Sequence, residues 1–273
     1  MLLVVGRRRD PVRVHAAAGA ARILARVELT PLGSAAEVLV ATAHDPYTRS
    51  SLRHTLARGW AGGGAVAWMG TDPEERITWL TTHGAPCAVG ALLGELLPQL
   101  PPRQRLTVPR GTPAHLPAWV GLDGTDWDFR WLRAPPPLQA GEDDVIDGLD
   151  DRAVKALLAA ASPTASAQPG DVAVRRWVGV VRSGELVACA ADTSGATGVG
   201  HLSSIAVHPS ARGAGLGRAV TAALVRRLFE EGCDLVTLGM YAHNDAGRRT
   251  YDALGFVDDH RYTSGPLLVR GRW

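Results

Sequence analysis

The chain has 273 residues, of which 46% are apolar, with near-zero mean hydropathy and a formal net charge of +2. That length admits one large domain or two smaller ones, and the apolar share is enough to bury a real core. The small, evenly spread charge argues against a nucleic-acid partner, and no apolar stretch approaches the roughly 18 residues of a membrane span.

The opening MLLVVGRRRD places its charges after the apolar residues, the wrong order for a secretory signal. Cys87, Cys189 and Cys233 stand far apart, which fits a reducing compartment, so a cytoplasmic protein is expected. Lys155 is the only lysine. The arginine preference goes with alanine and glycine richness along the whole chain and reads as genome composition. In the first half, HDPYTRSSLRH (44–54) has histidines too loosely spaced for a metal and reads as structural. GAVAWMG and RITWLTTHG suggest paired strands, APCAVGALLGELLPQL a helix, and QRLTVPRG and DFRWLRA further strands. The tryptophans spaced through these strands read as core, with Trp60, Trp68 and Trp79 as candidates to line an acceptor pocket.

A break follows at RAPPPLQAGEDDVIDGLDD (133–151), where three prolines precede an acidic run. Neither a helix nor a central strand continues through it, so domains of 1–138 and 139–273 are expected. The second half predicts a helix over 150–162 and two strands over 175–192, joined through Ser183-Gly184 as a hairpin. A strand over 200–209 stops at Pro209, and a helix runs from Gly215 to a cap at Gly232. A strand (234–242), a short helix (245–254) ended by Gly255 and a last strand complete an α/β order with a mixed sheet.

SSIAVHPSARGAGLGRAV (203–220) puts three glycines between a strand and an amphipathic helix. No lysine with Ser or Thr follows Gly217, so it is no P-loop, and the acidic residue of a dinucleotide fold is missing. What remains is a turn whose amides converge on one point beside a positively polarised helix start, a seat for a pyrophosphate.

These residues carry a resemblance. The segment from about 170 to 265 resembles the GCN5-related N-acetyltransferase (GNAT) superfamily, and within it is similar to the glycine N-acyltransferases. Its R/Q-x-x-G-x-G/A signature falls on Arg212, Gly215 and Gly217, and Asn244, Tyr251, Gly255 and Phe256 follow in order and spacing. The resemblance implies a GNAT fold binding acetyl-CoA as acyl donor, with no metal. Ile205, Ala206 and Val207 would pair with the pantetheine arm. The amides of Gly213, Ala214, Gly215, Leu216, Gly217 and Arg218 would hold the pyrophosphate, with Arg212 adding charge. Asn244 would contact the cofactor arm and also cap the next helix. Tyr251 would be the general acid near the thioester sulfur. His201 stands where many members carry a catalytic glutamate, and is either a general base or a surface histidine at a strand start.

The expected function is acetyl transfer to a primary amine of a small, amino-acid-like molecule. The alternatives are a non-catalytic acyl-CoA sensor and a protein lysine or N-terminal acetyltransferase. The first half loosely echoes the second without a glycine turn, which suggests a degenerate GNAT-like domain in a tandem architecture. It would shape the acceptor site or pair chains into a homodimer.

Overall fold

A computed structural model describes residues 27–52, 56–71, 78–101 and 104–269. The opening decapeptide, His54, Arg76 and Ile77 lie outside them. β1 (Thr30–Leu32) leads to α1 (Ala35–Ala41), where the Ser34 hydroxyl accepts the Glu37 amide as an N-cap. Ala43 and His44, both at positive φ, turn the chain into α2 (Pro46–Ser51), capped by the Asp45 carboxylate. A meander of β2 (Leu56–Gly62), β3 (Ala65–Thr71) and β4 (Thr78–Gly84) then feeds α3 (Pro86–Leu96). Pro98 withholds the amide that would extend α3, so the predicted helix ends in a tight turn over Leu97–Gln99. β5 (Gln104–Pro109), β6 (Val120–Leu122) and β7 (Thr125–Leu132) follow.

The expected break falls between β7 and β8 (Ile146–Asp147). After it come α4 (Asp151–Ala161), β9 (Arg176–Arg182), β10 (Glu185–Asp192) and β11 (Val199–Val207). Ser183 and Gly184 both take positive φ, the two-residue hairpin their sequence signals. α5 (Leu216–Glu230), β12 (Leu235–Tyr241), α6 (Asp245–Ala253) and β13 (Val257–Val269) complete the chain. Gly232 and Gly255, at φ 94 and 82, stand just past the ends of α5 and α6, where only glycine turns cheaply.

Among the described residues all thirteen strands join one sheet, ordered β1-β2-β3-β4-β5-β13-β7-β12-β11-β10-β9-β8, with β6 on β13. One sequence of elements occurs twice. Three antiparallel strands, a helix and a strand parallel to the third describe both β2 to β5 and β9 to β12. The two runs differ where helix follows strand: Ala85 alone separates β4 from α3, whereas residues 208–215 separate β11 from α5. The runs also trade strands. β7 pairs with β12, and the last strand, β13, pairs with β5.

β7 shows how alternation builds two environments from one strand. Trp127, Phe129 and Trp131 point to the face covered by α2, where Tyr47 packs 5.2 Å from Phe129 and 4.2 Å from Tyr262. Asp128 and the fully buried Arg130 point to the α6 side. There Arg110 and Arg248 donate to Asp128, and Arg130 donates to Asp252 and Asp258, at 2.6–2.8 Å. Each buried charge is thus paired, the condition on which burial is tolerable. Trp60 and Trp68 are buried core residues of the first half, and Trp79 stacks under Arg105.

α2 is tied down at both ends. Asp45 at its start pairs with His260 of β13, which also bonds Asp259. At its end Arg49 makes a two-pronged pair with Asp234, and the Ser50 hydroxyl meets Thr237 at 3.2 Å. Burial opposes the His260 charge, but Asp45 and Asp259 outweigh it and raise its pKa above 6.5. Asp45 is lowered below 3.8: burial opposes this, and His260 and the Thr48 amide prevail. The raised histidine adds stability in full below its unfolded pKa, lost as pH rises through the folded value. The lowered carboxylate adds stability above its unfolded pKa, lost as pH falls through the folded value. The melting-temperature deficit of His260→Gln is therefore expected to be largest near pH 5–6, at roughly the ordinary histidine range, and to shrink toward pH 9. A deficit that holds constant across a scanning-fluorimetry pH series would contradict the ion-pair account.

Candidate functional site

The parallel pairing of β11 and β12 ends at Leu202–Leu238, yet both strands continue, to Val207 and Tyr241. They splay. On its other edge β11 carries a bulge, for Ser204 and Ile205 together face Ala190 of β10, and Ser204 takes a φ of 50°. The extra residue leaves β11 irregularly paired on its β10 edge, and past Leu202 its other edge has no β12 partner.

A cleft of about 540 Å³ opens there. Ile205, Ala206 and Val207 form its β11 side, while Gly213, Gly215, Leu216, Gly217, Arg218 and Arg212 form the turn side. Gly213 and Gly215 sit at φ 84 and 79, which bends the loop so that it leads directly into α5. Gly215 caps α5 without any side-chain hydrogen bond, and no acidic residue occupies the first turn. The leading amides of a fifteen-residue helix are therefore not claimed by a side-chain cap, an arrangement suited to an anion. A Cβ on Gly213 would meet nothing within 4 Å, so the space above the loop is open. Arg212 donates weakly to Val207 O and Ala161 O, both at 3.4 Å, and braces the loop against α4.

The far wall comes from α6. Asn244 caps it by accepting the Gly247 amide at 2.9 Å, and it also lines the cleft. Gly247 leaves room for that cap, since a Cβ would stand 2.6 Å from the Asn244 amide nitrogen and push the side chain aside. Tyr251 lines the cleft with its ring edge-on to Phe256. Burial pushes its phenol up to about 12, against a smaller opposing pull from the Arg130 charge. It is thus a neutral proton donor at any physiological pH.

Two of the expected residues fall elsewhere. Ala214 lies in the turn but not in the cleft lining, and His201 lies on the other face of the sheet, the face that α2 covers. His201 Nδ1 is 2.8 Å from Thr237 Oγ1, and that hydroxyl donates to Gly200 O. Which of the two donates in that contact depends on the imidazole tautomer.

Residues 129–256 match the model of the acetyltransferase (GNAT) family. Two solved structures described as GCN5-related N-acetyltransferases share the architecture. That from Sphaerobacter thermophilus is 17% identical, with a TM-score of 0.55, covering 91% of this chain and 98% of its own. That from Kribbella flavida is 18% identical, with a TM-score of 0.50, covering 86% and 96%. This is a GNAT fold. Over 62 residues the chain is 41% identical to the mycothiol acetyltransferase of Kocuria rhizophila, which is 23% of this chain and 20% of that relative. The match thus spans about a fifth of the relative's length.

Within the GNAT cleft the structure adds Ala161 and Ser162, at the end of α4, and Thr250 of α6. Periodicity marks these only as helix residues, so nothing local in the sequence singles them out. Gly217→Val is the cleanest probe of the cleft, because its Cβ would make only an ordinary 3.5 Å contact with Val207. The variant is expected to fold as the parent does and to lose at least about tenfold in acetyl-CoA affinity by isothermal titration. Unchanged affinity would show that the glycine turn is not the cofactor cradle.

Proposed function

We propose that this protein transfers an acetyl group from acetyl-CoA to the primary amine of a small molecule. The observation that carries the proposal is the splayed cleft, with an uncapped helix start at one side and a buried neutral tyrosine in its wall. The name of the Kocuria relative supports acetyl transfer for the segment it shares. The likeness to the glycine N-acyltransferases supports an amino-acid-like acceptor.

Acetyl-CoA would supply an activated acyl carbon, held by the α5 amides at its pyrophosphate and by the exposed β11 backbone along its arm. Ile205, Ala206 and Val207 would orient that arm, and Asn244 would fix its position relative to α6. His201, through Nε2 or a bridging water, would take a proton from the ammonium so that the amine nitrogen has a lone pair. That nitrogen forms the new C–N bond as the C–S bond breaks. Tyr251 donates its proton to the departing sulfur, and the second nitrogen proton leaves to solvent. A cysteine relay is disfavoured. Cys189, which packs beside Ala206, has its thiol pushed up to about 12 by burial, so it carries no thiolate at neutral pH.

The first half would be a GNAT-like counterpart without a cradle. Its β4 runs into α3 through one residue, so no loop exists to hold a pyrophosphate. Its 3₁₀ turn at Thr112–His115 lies directly on α3, where a Cβ at Gly90 would meet His115 O at 2.5 Å.

Incubation of the chain with acetyl-CoA and an amine panel, with acetylated products read by mass spectrometry, tests the proposal. Tyr251→Phe is expected to lower kcat by about 10²-fold or more while sparing acetyl-CoA affinity. The wild-type rate should show no fall from Tyr251 ionisation up to roughly pH 10, since its pKa stands about two units higher. His201→Ala should abolish the acidic limb of kcat/KM; a limb that survives would exclude His201 as the base. Absence of any acetylated product with bound acetyl-CoA would leave a sensor as the reading.

A further inference from the structure

Gly239 has no structural reason to be glycine. It lies in β12, between β11 and β7 in the interior of the sheet, and it is exposed. Its φ is not positive, and a Cβ would meet only two ring carbons of Trp127 at 3.5 Å, an ordinary contact. Glycine weakens a strand and gives it no side chain to pack. Close approach of a ligand to the backbone is the physical use that remains.

Its surroundings fit that use. Gly239 is the first residue of β12 past the last rung with β11, so it stands where the splay begins. It shares a face with Thr237 and Tyr241, and with Trp127 and Phe129 on the neighbouring strand. α2 covers Thr237 and Phe129, which are 0% and 1% exposed, but leaves Gly239 and Tyr241 open. Trp127 is held in place by a 2.8 Å bond from Nε1 to Ser264 Oγ. Tyr241, 44% exposed, stacks on His243 at 5.5 Å and 15°. Across the splay Ser204 Oγ accepts from Ala167 N and donates to Ala167 O, pinning the loop after α4. His201 sits on the same face, one rung inside the opening.

We propose that Gly239, Trp127 and Tyr241 form the acceptor seat, and that the seat takes an amine whose carrier offers an apolar ring face, an aromatic ring or the C–H face of a saccharide. This rests on the acetyl-transfer reading above and assigns the half of the reaction that the cleft does not. Fixed aromatic rings beside a bare backbone floor offer flat apolar contact to one face of a ring. Linear polyamines would need carboxylates for their extra charges. The carboxylates around α2 are committed elsewhere: Asp45 and Asp259 to His260, and Asp234 to Arg49. The first half thereby takes part in the site, because α2 sets the limit of the seat.

Acetyl transfer to tryptamine, glucosamine and spermidine by the full chain tests this, alongside Gly239→Ala and Gly239→Val. A ring-bearing amine should be preferred over spermidine by at least about tenfold in kcat/KM. Gly239→Val should raise the acceptor KM by about tenfold or more, Gly239→Ala less, with the acetyl-CoA dissociation constant unchanged in both. Equal KM in wild type and Gly239→Val, or a preference for spermidine, would overturn the seat. So would failure of both ring amines to bind or react in a protein that binds acetyl-CoA, while the cofactor reading would stand. Failure to bind acetyl-CoA at all would remove the underlying reading, and the seat with it.

Discussion

Everything functional here depends on two parallel strands that part company. Were the β11–β12 ladder to continue past Leu202–Leu238, the β11 backbone would be spent on β12 and neither face of the sheet would open. The separation is held from outside. The bulge at Ser204 binds β11 toward β10, and the β7 rungs from Leu132 to Trp127 carry β12 the other way. The cleft and Gly239 both border the resulting gap.

β7 supports each side with different chemistry. Its aromatic face receives α2, and its charged face receives α6 through the Asp128 and Arg130 pairs. Arg248 and Asp252 flank Tyr251 on α6, so the ion pairs that fix that helix also fix the phenol. The alternation that makes this possible is plain in TDWDFRWL, although which element each face would meet is not.

The second half was readable because its elements are punctuated. Ser183-Gly184, Pro209, Gly232 and Gly255 mark ends by backbone geometry alone, and apart from Ala161 and Ser162 the cleft residues fall in two short runs, 205–218 and 244–251. The first half resisted because α2 spans only Pro46–Ser51, too short for periodicity, and because its role is decided by distant partners. Asp45, Arg49 and Ser50 make structural contacts, but their partners His260, Asp234 and Thr237 belong to the second half. Aromatic identity alone says nothing of which tryptophan the folded sheet buries: Trp60 and Trp68 are core, while Trp127 stands 3.5 Å from where a Cβ on Gly239 would be.

The exchange of β7 and β13 bears on how such a chain can evolve. One half of a chain can ordinarily be deleted without undoing the other, but here β12 is flanked by β7 of the first half and β5 by β13 of the second. Removing residues before the break would strip β12 of its neighbour β7 and unpin α2 from Asp234 and Thr237. The halves therefore stand or fall as one folding unit: a substitution that loosens β7 or α2 in the first is felt at β12 and Thr237 in the second.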